Sequence, residues 1–116
     1  MTDQADWLSV PEFAERLGLT ASQVRELVRE GALAAQRRTD RNTVQIPGGF
    51  IIEGEHGAEI IPTLRGTLTL LRDAGFDDDG ILEWLLADEP ELGMSPLAAL
   101  RQGQRAHVRR LAQAML

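Results

Sequence analysis

Residues 9–31, SVPEFAERLGLTASQVRELVREG, constrain the fold of this chain more than any other stretch. Ser9-Val10-Pro11-Glu12 has the S-x-x-E form of a capping box, in which a hydroxyl and a carboxylate satisfy N–H groups left free at a helix start. Thr20-Ala21-Ser22-Gln23 repeats the device as T-x-x-Q. Between the boxes lies Leu17-Gly18-Leu19, where glycine can take the positive φ that lets one helix stop and the next turn away. Gly31 supplies a second stop. The pattern predicts a first helix over about 11–17, with Phe13 and Leu17 on one face, and a second over about 21–30. The second buries Val24, Leu27 and Val28 and presents Ser22, Gln23, Arg25, Glu26 and Arg29. Two short helices meeting at a glycine turn form a helix-turn-helix, a motif often used to put its second helix into the major groove.

Residues 33–47 read as a hairpin. Leu33–Arg38 and Thr43–Pro47 are short extended runs flanking the polar turn Thr39-Asp40-Arg41-Asn42. Directly after an exposed helix, such a hairpin is a wing, and Arg37, Arg38 and Arg41 fall near its tip. Residues 1–8 are a polar tail running into Trp7, expected as a core anchor. Phe50, Ile51 and Ile52 are expected to pack the wing on the core. The acidic, glycine-containing stretch Glu53–Glu59 reads as a loop, and Pro62 and Gly66 punctuate the return of the chain through Ile60, Ile61 and Leu64.

The remainder is helical. One helix over Thr67–Ala74 carries Leu68, Leu70 and Leu71 and stops at Gly75. A second, capped by Asp77 or Asp78, holds Ile81, Leu82, Trp84 and Leu85. A third opens at Ser95-Pro96, and a last one over 104–115 turns Val108, Leu111 and Met115 inward. The expected architecture is therefore mainly α: a winged helix-turn-helix with a small β-hairpin over 1–52, a linker over 53–66, and a helical C-terminal bundle over 67–116 packed on the first part.

Charge narrows the partners. The chain has 12 basic and 18 acidic residues, a formal charge of −6, which by itself disfavours a polyanion. The distribution matters more. Residues 16–45 hold six arginines (16, 25, 29, 37, 38, 41) against Glu26, Glu30 and Asp40, a local excess of +3, which leaves −9 for everything else. A basic module in an acidic molecule can bind DNA at one face while the rest resists non-specific sticking. All the basic residues are arginines.

Arg25 and Arg29, one turn apart, can clamp guanine edges or phosphates. The competing reading is a solvated helix face on which Arg25 pairs with Glu26 or Glu30. Ser22 and Gln23, early in the helix, can reach base edges. Arg37, Arg38 and Arg41 suit phosphate or minor-groove contact. Four or five such contacts predict a slope of log K against log salt of about −4. Arg101, Arg105, Arg109 and Arg110 form a second basic set, read as favourable placement near helix C-termini or as a contact surface for a protein or a second DNA segment.

Other chemistry is disfavoured. There is no cysteine, so disulfides and thiol chemistry are excluded, and a cytoplasmic location is expected. No signal peptide and no run of membrane-spanning length is visible. Asp77-Asp78-Asp79-Gly80 resembles the start of a calcium loop but lacks the later ligands, so capping explains it better. Two histidines make a metal site improbable, and Gly48, Gly49, Gly54 and Gly57 are followed by no phosphate-loop lysine. No nucleophile–base pair stands out. The expectation is a DNA-binding protein, not an enzyme, without metal or cofactor. The alternative is an adaptor that binds a protein through its C-terminal helices.

The chain resembles a family of small actinobacterial winged-helix DNA-binding proteins, some of which are substrates of a membrane-associated serine/threonine kinase. The resemblance lies in Trp7-Leu8, Pro11 to Gly31, the block Gly66-Thr67-Leu68-Thr69-Leu70-Leu71-Arg72-Asp73-Ala74-Gly75-Phe76, Glu83-Trp84-Leu85 and the arginine-rich last helix. It implies a double-stranded DNA partner, and kinase regulation, for which Thr2 in the N-terminal tail is a candidate. The first half is also similar to excisionase and MerR-type winged helices. The tail, from Trp84-Leu85-Leu86 through Leu92-Gly93-Met94-Ser95-Pro96-Leu97 to Val108, is similar to the toxin-binding module of Xre/ParS-type antitoxins. Met115 and Leu116 are candidates for internal packing or a homodimer contact.

Overall fold

Both capping boxes close in the computed structural model, which describes residues 6–38 and 43–116. The Ser9 hydroxyl accepts from the Glu12 N–H at 3.2 Å while the Ser9 N–H donates to Glu12 Oε1 at 2.8 Å. Thr20 and Gln23 exchange the equivalent bonds at 3.1 and 2.9 Å. These boxes start α1 (Val10–Leu17) and α2 (Ala21–Arg29). Gly18 ends α1 in the left-handed region at φ 72°, and its N–H reaches the carbonyls of Ala14 and Glu15. α2 then departs in a new direction, with Val24 fully buried.

The wing is β2 (Gln36–Arg38) paired antiparallel with β3 (Thr43–Pro47). A strand not expected from the sequence, β1 (Trp7–Ser9), pairs with the other edge of β3, so the sheet order is β1-β3-β2. Three residues before a capped helix carry too little periodicity to show as a strand. The expected turn at 39–42 lies outside the described residues.

The stretch read as an acidic loop is instead a second hairpin, β4 (Ile51–Gly54) and β5 (Gly57–Ile60), joined by Glu55-His56. Its acids are exposed while Ile52, Ala58 and Ile60 pack against the core. In this register Ile51 pairs with Ile60, Ile52 with Glu59 and Glu53 with Ala58, so each face of the ribbon carries both an isoleucine and a glutamate. With glutamates on both faces, no period-2 pattern marks these strands in the sequence. A short 3₁₀ turn, Gly48–Phe50, links β3 to β4.

Four helices complete the chain: α3 (Leu64–Asp73), α4 (Asp78–Leu86), α5 (Pro96–Arg101) and α6 (Arg105–Gln113). Asp77 caps α4 by accepting from the Gly80 N–H at 2.9 Å, and Ser95 caps α5. α3 begins a turn earlier than expected and runs through Gly66. One hydrophobic cluster spans both halves: Phe13, Val24, Leu33 and Ile46 of the winged helix are continuous with Leu64, Leu68, Leu82 and Val108. Among the described residues, no helix is long and apolar enough to cross a membrane.

Candidate nucleic-acid interface

The exposed stripe of α2 comprises Ser22, Gln23, Arg25, Glu26 and Arg29. With 3.6 residues per turn, 22, 25, 26 and 29 share one face, opposite the buried Val24. Gln23 is partly committed, because its carbonyl oxygen closes the capping box; its amide N–H₂ still carries two donors. Arg25 has no carboxylate partner among the described residues, contrary to the solvated-pair reading. Arg29 instead pairs with Glu26 one turn back. Both are well exposed, so this pair is held weakly and a phosphate could exchange for the carboxylate.

The wing separates its arginines by the pleat. Arg37 points outward and is exposed. Arg38, its neighbour, points back: its guanidinium lies over the Trp7 ring, 4.2 Å from the centroid, and donates to Gln36 at 3.1 Å. Its Nε is buried without a hydrogen-bond partner. This cation–π contact ties β2 to β1 across the sheet. The structure therefore brings Ser22, Arg25 and Arg29 onto one face and places the exposed Gln23 about 100° round the helix from Ser22. It leaves Arg37 exposed on the wing and sets Arg38 apart as a brace. Arg41 and Thr2 lie outside the described residues.

The orientation of α2 against the wing is set from the C-terminal half. Arg72, on α3, donates to the Gly31 carbonyl at 2.8 Å, to Leu33 at 3.4 Å and to Asp78 at 2.9 Å. The other Asp78 oxygen accepts from the Ala35 N–H at 3.2 Å, and Asp79 accepts from Gln36 at 3.2 Å. The segment between α2 and β2 is thus held by α3 and the start of α4. Gly31 is required here: φ is 85°, and a Cβ would sit 3.1 Å from Arg72 Nη1. The Asp77–Asp79 run, singled out for capping, supplies the cap from Asp77 and two anchors for the wing. Arg72 carries no signal in the sequence, since a lone arginine in an amphipathic helix gives no sign of a partner 41 residues away.

Loss of this strut has a defined expectation. Arg72→Ala should lower stability by about 1–3 kcal/mol, measured by urea unfolding, because two carbonyls and a carboxylate lose a partly buried donor. Arg72→Lys should recover only part, since an ammonium cannot reproduce the fork. A loss for Arg72→Ala below about 0.5 kcal/mol, the range of ordinary surface changes, would remove the strut from the account.

The similarities with known proteins fit this geometry. A family model described as "DNA-binding protein Rv2175c, wHTH domain" matches residues 1–51, and one described as "Rv2175c C-terminal domain of unknown function" matches residues 61–116. The DNA-binding protein Rv2175c of Mycobacterium tuberculosis (strain ATCC 25618 / H37Rv) is 35% identical over 118 residues, covering 91% of this chain and 77% of the relative. The NMR structure of Rv2175c superposes with a TM-score of 0.82 at 33% identity, covering 99% of this chain and 84% of that one. The order of elements, the arginine-bearing second helix and these matches converge: the chain belongs to the Rv2175c family of winged helix-turn-helix proteins.

Proposed function

We propose that this chain binds double-stranded DNA and acts as a transcriptional regulator, with α2 in the major groove and the β2–β3 wing on the flanking backbone. The observation that carries this reading is the face of α2, where Arg25, without a carboxylate partner among the described residues, stands beside the displaceable Arg29 in a molecule of net charge −6. The relative described as a DNA-binding protein supports it. Arg25 and Arg29 supply base or phosphate contacts, Ser22 and the amide N–H₂ of Gln23 supply polar contacts at base edges, and Arg37 and Arg41 neutralise phosphates. Arg38 contributes indirectly, by bracing the wing against Trp7.

One recognition helix buries little surface, so a second copy would supply the matching half-site. Met115 and Leu116 are 37% and 67% exposed and are open to such a contact. Phosphorylation of Thr2 by a serine/threonine kinase remains an implication of the family resemblance.

Fluorescence anisotropy with a mixed-sequence duplex over a series of salt concentrations tests the reading. With Arg38 withdrawn to Trp7, three or four phosphate contacts predict a slope of log K against log salt of about −3 to −4, at roughly −0.9 per contact. A slope near zero, or no binding at low salt, would overturn it in favour of a protein-binding adaptor.

A further inference from the structure

On the other side of α3 from the recognition helix, a cleft of about 360 Å³ opens between α3 and α6. α3 turns Arg65 and Arg72 toward Glu30 and Gly31 at the end of α2. At 3.6 residues per turn, the residues it turns to the cleft, Thr63, Gly66, Thr67 and Leu70, fall on the opposite side. The facing wall is Arg105 and Arg109, one turn apart on α6, with Ala106 between them.

Two features of this cleft lack an explanation within the chain. First, Arg105 and Arg109 have no carboxylate partner among the described residues, although the chain holds 18 acids and Arg16, Arg29, Arg65 and Arg72 each find one. Two like charges side by side at a concave surface raise the local potential for an anion. Second, Gly66 lies inside α3, where glycine weakens a helix relative to alanine. Its φ is not left-handed, and a Cβ there would meet nothing within 4 Å. No turn or close approach requires glycine; its effect is to leave the mouth of the cleft open.

We propose that this cleft binds a small organic phosphate. Paired guanidinium groups present parallel N–H donors to a phosphate monoester, whose charge approaches that of both cations, whereas a carboxylate would balance only one. Pro62, Leu70 and Ala106 offer an apolar surface to the carbon body of the ligand. The volume lies within the range of small-molecule sites. Because α3 carries the cleft on one side and the α2 anchors on the other, an occupant is placed to bias the recognition helix. That consequence rests on the DNA-binding reading; binding in the cleft does not.

The test is an NMR titration of the full chain, labelled with ¹⁵N, with phenyl phosphate, inorganic phosphate and benzoate as separate probes and no DNA present. Phenyl phosphate should give saturable shifts centred on the amides of Gly66, Thr67 and Ala106, and should bind more tightly than either other probe. Gly66→Leu, which fills the mouth, and Arg105→Ala/Arg109→Ala should each weaken binding by about tenfold or more while keeping a dispersed spectrum. Gly66→Ala serves as a folding control and should raise the melting temperature. Absence of saturable shifts, or equal binding of benzoate, would overturn the proposal. In a separate titration with a short duplex in place of these probes, shifts of the same amides as strong as those with phenyl phosphate would also overturn it, assigning the cleft to a second DNA segment.

Discussion

Arg25→Ala/Arg29→Ala is expected to weaken binding to duplex DNA by about 100-fold at moderate salt. Each guanidinium contact to a base edge contributes about 1–3 kcal/mol, and each 1.4 kcal/mol is about a tenfold change. The two single substitutions should not be equal. Arg25 has no competing carboxylate among the described residues, so its removal forfeits the full contact. Arg29 must first leave Glu26, so its net contribution is smaller. By the same argument, Glu26→Gln should strengthen binding, because it frees Arg29 and removes a negative charge from the groove-facing surface. The melting temperature of the double variant should stay within the range of ordinary surface changes, since Arg25 and Arg29 are both exposed. Anisotropy titrations with all four variants check the set. Equal affinity of wild type and double variant would remove α2 as the reading element.

The largest stability effect is expected at Phe50, in the turn between the sheet and the second hairpin. Its side chain is fully buried, and the turn packs against α5. Arg101 holds the same turn by donating to the carbonyls of Gly49 at 2.8 Å and Ile51 at 2.6 Å. Phe50→Ala should cost about 3–5 kcal/mol through lost burial and the cavity left behind. That is a large part of the ordinary stability of a domain, about 5–15 kcal/mol. Because one core spans both halves, they should unfold together. The two tryptophans report this separately: Trp7 lies in β1 and Trp84 in α4. Single-tryptophan versions made with Trp7→Phe and Trp84→Phe should show coincident urea transitions. Two separated transitions would show that the winged helix and the C-terminal helices are independent units.

Local chemistry makes much of this fold legible. The two capping boxes, Gly18 between them and the amphipathic face around Val24 specify α1 and α2 through interactions among residues three or four apart. Asp77, Ser95 and Pro96 mark helix starts for the same reason. The surface of α2 is equally readable, because a side chain on the outside of a short helix has its direction determined by helical periodicity. β1 is hidden because a three-residue strand acquires its identity from the strand beside it. The β4–β5 hairpin is hidden because its glutamates and isoleucines fall on both faces, which leaves no alternation to read.

Along the chain, then, the capped helix starts and the arginine-bearing face of α2 are written in contacts within a single turn of backbone, whereas the uncapped start of α3 is not. Tertiary structure alone decides which arginines keep their charge open to a partner. Arg38 is drawn onto Trp7, Arg72 and Arg101 are committed to backbone carbonyls of the other half, and Arg25, Arg105 and Arg109 are left without carboxylates among the described residues. A guanidinium finds whichever acceptor the packed core brings within about 3 Å. That distance depends on how helices far apart in the chain are stacked, which no local pattern encodes.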